Sequence, residues 1–114
     1  MKEIKNFKEL EDALKSSESN VVVLDCYTKW CGPCKRLSPK LEELQKQYTQ
    51  ASKNVDIYKL DIEIEELAMW VSMKEIQSIP TIFVIKDKKD KAKIEGADLE
   101  AIKKAVDEQF VVNN

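Results

Sequence analysis

The run Val21-Val22-Val23-Leu24-Asp25-Cys26-Tyr27 constrains this chain most, because it is β-branched and almost wholly apolar without alternation. A strand wet on one face alternates apolar with polar residues, whereas an unbroken run reads as a central strand covered on both faces. Layers are then needed above and below it, and the flanking segments can supply them as helices. Phe7, Leu10 and Leu14 recur at helical spacing from about Asn6 to Ser16, with Asn6 and Glu9 placed as a capping box. The polar stretch Ser16 to Asn20 is the loop that returns the chain to the strand.

After the strand, Leu37, Leu41, Leu44 and Tyr48 share one helical face, giving the longest helix. Pro39 lies inside it, where a lost backbone hydrogen bond predicts a kink rather than a stop. Val55 to Leu60 alternates as a second strand, and Ile64, Leu67, Ala68 and Val71 predict a third helix that ends before Pro80. Thr81 to Ile85 is a strand, Asp87 to Asp90 a turn without glycine, and Lys91 to Glu95 a short returning strand, so these pair as a hairpin. Gly96 breaks the chain, Asp98 caps, and Leu99, Ile102, Val106 and Phe110 mark a last amphipathic helix. With a short strand at Lys2 to Lys5, the order predicts an α/β fold, a mixed sheet with helices on both faces. The 114 residues are one domain's worth, 1–114, and the 43% hydrophobic fraction is enough for one core.

Composition closes several routes. The 19 basic and 21 acidic residues nearly cancel and are interspersed, so neither nucleic acid nor an anionic membrane is an expected partner. No wholly apolar stretch exceeds the five residues from Leu67 to Val71, far short of a membrane span. The opening Met1-Lys2-Glu3-Ile4 carries acid among its base and no apolar run of signal length, which points to the cytoplasm. A mature organellar protein stripped of its transit peptide reads the same way. Histidine is absent, which removes Ser-His, Cys-His and His-metal arrangements. Three cysteines without a secretory signal argue against a disulfide framework and for reactive or metal-binding use.

Cys31-Gly32-Pro33-Cys34 stands between the buried strand and the long helix. Two intervening residues at a helix start bring the sulfurs within bonding reach. Cys31, nearer the helix N-terminus, gains from free N–H groups and the macrodipole that favour thiolate, the attacking form. Cys34, a turn further in and more buried, is placed to resolve a mixed disulfide. Half a zinc site is an alternative, but four ligands are wanted and only Cys26 remains. Inert core cysteines are another, against which Gly-Pro at a strand-to-helix junction is a poor core.

Trp30-Cys31-Gly32-Pro33-Cys34-Lys35 is similar to the active-site sequence of the thioredoxin family. Val23-Leu24-Asp25 resembles the strand that ends in that family's buried aspartate, and Pro39 its helix proline. Ile79-Pro80-Thr81 resembles its cis-proline segment, Lys59 the lysine near the aspartate, and Gly96-Ala97 its groove-lining pair. The resemblance runs through most of the chain in the right order. It implies five strands with four helices, and protein-disulfide reductase activity through a reversible Cys31–Cys34 dithiol. It also implies disulfide-containing client proteins, and recycling by a thioredoxin reductase. The NADPH belongs to that partner and no cofactor is bound by the chain itself; a monomer is expected. Asp25 would be buried with a raised pKa and exchange a proton with Cys34 as general acid–base, Lys59 tuning it. From the residues alone, a surface lysine ending an alternating strand is the other reading of Lys59. Trp30, Gly32, Pro33, Ile79, Pro80, Gly96 and Ala97 would form the docking surface, with the backbone beside Pro80 pairing an extended substrate.

Two features depart from the family pattern. Cys26 follows Asp25 where an aromatic is usual; alternation points it to the opposite face, as a small core hydrophobe. The Asp87 to Lys91 turn lacks a glycine. Glu63 to Glu66 and the lysines after Ile85 read as solvated faces. A redox-sensing adapter and a secretory oxidase or isomerase are the competing functions. The intact dithiol with Asp25 and Pro80 opposes the first; proline before Cys34 and the missing signal oppose the second.

Overall fold

The computed structural model describes residues 1–111. Its elements run β1 (Lys2–Ile4), α1 (Phe7–Ser16), β2 (Val21–Tyr27), α2 (Gly32–Gln50), β3 (Val55–Asp61), α3 (Ala68–Met73), β4 (Thr81–Lys86), β5 (Lys89–Glu95) and α4 (Leu99–Glu108). The five strands form one sheet in the order β1-β3-β2-β4-β5. β2 pairs parallel with β3 and antiparallel with β4, so the apolar run does occupy the centre. All of Val21 to Cys26 is buried.

The period of two sorts β2 between two cores. Val21 and Val23 pack with Leu37, Leu41 and Leu44 of α2 and Ile102 and Val106 of α4. Val22, Leu24 and Cys26 face the other way, onto Leu10 and Ala13 of α1 and the half-buried Trp70 and Val71 of α3. Burying each such Leu contributes about 1.5–3 kcal/mol toward holding the layers together. Asn6 caps α1 as expected, its Oδ1 accepting from the Glu9 N–H at 2.9 Å. α2 continues through Pro39 to Gln50 without a stop.

Three boundaries differ from those expected. The third helix opens as a 3-10 turn over Glu65–Leu67 and becomes α-helical only at Ala68. Ile64 and Leu67 are three apart, a spacing the tighter turn satisfies while Leu67 is driven fully into the core. The hairpin turn is shorter than Asp87 to Asp90, because Lys89 already pairs with Lys86 and only Asp87 and Lys88 are left between strands. Both have positive φ, 54° and 63°, as a two-residue turn of the right twist demands. Lys91 is then accommodated by a register shift between Val84 and Ile85. α4 stops at Glu108, and Phe110 is 37% exposed beneath the Lys53 ammonium rather than in the core.

Candidate active site

Sheet topology gathers the site at one end. Cys26 pairs with Thr81, so Pro80 comes level with the C-terminal end of β2, from which the chain runs to Cys31. Thr81 pairs with Glu95, and the Gly96 N–H donates to the Pro80 carbonyl at 2.8 Å. The Ile79–Pro80 peptide is cis. Gly96 has φ 91°, a conformation that favours glycine, while a Cβ there would touch nothing within 4 Å; its backbone rather than its small size is what matters. Ala97 follows it on the way to the Asp98 cap of α4.

Cys31 is the N-cap of α2, with extended backbone, and its sulfur accepts the Cys34 N–H at 3.1 Å. Pro33 opens the helix where a missing N–H costs nothing. Cys31 and Cys34 are joined as a disulfide, their Cα atoms 5.3 Å apart. The expected difference in burial is not seen, since each is 3% exposed. Bonded to each other across the helix end, each sulfur covers its partner. Gly32 and Pro33 are exposed beside them. Trp30 is 68% exposed, and its indole N–H donates to Glu63 Oε1 at 3.1 Å. Glu63 is therefore more than a solvated acid, and Glu66 likewise accepts the Phe7 N–H at the start of α1.

Asp25 lies on the α2 face of the sheet, 1% exposed. Burial pushes its carboxyl up to about 7, against the opposing pull of the Lys59 ammonium. Lys59 is its register partner on β3. It is also half-exposed, 3.9 Å from Glu3 Oε2 and over the Tyr27 ring, so its charge is shared. A cleft of about 300 Å³ joins Asp25, Lys59, Thr28 and Cys34. Trp30, Gly32, Pro33, Ile79, Pro80, Gly96 and Ala97 do not line it. Thr28 has no sequence signal, because its burial comes from the turn folding under α2. Cys26 is fully buried in the opposite core, its thiol pushed up by burial and then by the Asp25 charge. No group of three or more potential metal ligands occurs among the described residues.

The thioredoxin family profile matches residues 2–108. The chain belongs to the thioredoxin family. Thioredoxin-1 of Saccharomyces cerevisiae is 38% identical over 91% of this chain and 93% of its own length. Thioredoxin F from spinach chloroplast (short form) superposes with a TM-score of 0.84 at 28% identity, covering 96% of this chain and 93% of that one. Oxidised thioredoxin O1 from Arabidopsis thaliana gives 0.82 at 29% identity, covering 94% and 95%. Like the thioredoxins, this chain is a thiol–disulfide oxidoreductase, a protein-disulfide reductase working through its paired cysteines.

Proposed function

We propose that Cys31 attacks the client disulfide, that Cys34 resolves the adduct, and that Asp25 exchanges the Cys34 proton. The observation that carries this reading is the N-cap position of Cys31, whose sulfur already accepts an N–H at the positive end of α2. In the reduced protein the Cys31 thiolate bonds to one client sulfur as the client S–S bond breaks, releasing a client thiolate. Cys34 gives its proton to Asp25 through water and attacks the Cys31 sulfur. The Cys31–Cys34 bond forms, the second client thiolate leaves, and the client has gained the two electrons the pair lost.

Lys59 tunes Asp25, its positive charge favouring the carboxylate. Trp30, Gly32, Pro33, Ile79, Pro80, Gly96 and Ala97 form the surface on which the client segment docks. A thioredoxin reductase returns the two electrons, drawing them from NADPH, while the chain acts as a monomeric single domain over 1–114, of which 112–114 lie outside the described residues. The cytoplasm is the proposed compartment; no described helix is long and apolar enough to cross a membrane.

Turnover of a disulfide protein with reductase and NADPH tests the reading, together with two variants. Cys31→Ser should abolish turnover and leave no covalent adduct. Cys34→Ser should accumulate mixed disulfides through Cys31, visible by mass spectrometry. Equal trapping by both variants would reverse or abolish the assignment. Adduct formation without turnover of the wild-type protein would instead favour a redox-gated adapter.

A further inference from the structure

Two buried side-chain polar atoms among the described residues have no hydrogen-bond partner, Asp25 Oδ1 and Thr28 Oγ1. They are not scattered. Both line the cleft that also reaches Cys34, and the two residues are 1% and 2% exposed. A buried hydroxyl left unpaired carries its full desolvation cost, so the cleft is where each atom must find its partner. Its volume of about 300 Å³ exceeds the share of a single water, about 30 Å³. A buried water needs two to four polar contacts, and Asp25, Thr28 and Cys34 all line the cleft from which such contacts would come. Thr28 is itself held in place, because its carbonyl accepts the Cys31 N–H at 3.3 Å.

We propose that Thr28 is a positioning residue for disulfide reduction, its hydroxyl fixing the water through which Cys34 and Asp25 exchange a proton. The inference rests on the role given to Asp25 above. A threonine hydroxyl donates one hydrogen bond and accepts two, and its rotor turns to suit. It can therefore accept from the water while the carboxylate is charged and donate to it once the carboxyl is protonated, without changing its own protonation. Valine would fill the same space, so packing alone gives no reason for the hydroxyl.

The full-length protein decides it, through the rate of client-disulfide reduction against pH and the Asp25 titration followed by carboxyl NMR. Tyr27 on β2, Lys29 in the loop, Lys35 and Glu42 on α2 and Lys59 on β3 face the same cleft. Their charges are common to all variants, so each is read against the wild type. Thr28→Val should slow reduction at pH 7 by about three- to tenfold, a part of what general acid–base transfer contributes. It should also raise the Asp25 midpoint, and Thr28→Ser should restore both. In an Asp25→Asn background, Thr28→Val should have no further effect. Thr28→Ala removes the same hydroxyl and serves if valine does not fold. A wild-type rate and midpoint in Thr28→Val, failure of serine to rescue, or an equal loss in the Asp25→Asn background would overturn the role of Thr28 alone. An Asp25→Asn protein with unchanged rate and pH profile would overturn the Asp25 reading, and this role with it.

Discussion

Asp25 sets function against stability within a single side chain. Its carboxyl rises from 3.8 to about 7 because burial penalises the charge more than Lys59 rewards it. The folded state thus holds the proton more tightly than the unfolded chain. By linkage, the stability from this group is full below an unfolded value of about 3.9 and is lost as pH rises through about 7. Each pH unit across that window is worth about 1.4 kcal/mol, and the cavity left by truncation takes part of the gain back. Asp25→Ala should therefore be more stable than wild type at pH 8 by on the order of 1–3 kcal/mol, with the advantage gone at pH 4. Urea melts at the two pH values measure this, and a variant weaker at pH 8 would mean the carboxylate is paired. The burial of Asp25 and the opposite facing of Cys26 were legible from the strand pattern. The burial of Thr28 and the Trp30–Glu63 hydrogen bond were not, because each depends on two segments distant in sequence or on a turn.

At the scale of elements, the hairpin shows how a turn without glycine is held. Asp87 and Lys88 both sit at positive φ, which costs an L-residue about 1–2 kcal/mol. The end of α1 compensates. Ser17, itself fully buried, accepts the Asp87 N–H on its carbonyl at 2.7 Å and the Lys88 N–H on its hydroxyl at 2.8 Å. Lys88 adds only an exposed pair with Glu18. Lys88→Gly should stabilise the protein by up to about 1 kcal/mol, since relief at φ 63° outweighs an exposed ion pair. A denaturant midpoint that falls instead would show the lysine to be a real anchor. Alternating and β-branched residues made the hairpin readable, but polar turn residues alike on both sides left its two-residue length to the register. The third helix was readable from its helical spacing but misjudged at its start: spacings of three and four both occur in Ile64 to Val71, and the core chose the 3-10 turn for the first.

For the whole molecule, stability rests on the two apolar layers flanking the sheet rather than on charge. All six ion pairs among the described residues have at least partly exposed partners. Exposed pairs contribute about 0–1 kcal/mol each, and the net charge is only −2. Raising ionic strength from about 0.05 to 0.5 M shortens the Debye length severalfold, yet unfolding free energy should change by less than about 1 kcal/mol. A loss of several kcal/mol in salt-dependent urea melts would place the stability in the ion pairs instead. The same two layers explain why the site lies where it does. Strands β2 and β3 run parallel and deliver Asp25 and Lys59 side by side, and α2 returns over that face to bring Cys34 to the cleft.

The central buried strand, the helices on both faces and the dithiol at a helix start all follow from residue order alone. Each of these follows from local periodicity and from residue types that have few alternative uses. Folding adds what residue order does not carry: both sulfurs are equally covered in the disulfide, Lys59 divides its charge between Asp25 and Glu3, and Thr28 joins Asp25 in one cleft. Those facts depend on desolvation and distance between groups brought together by folding, and neither quantity is written in the order of residues along a strand.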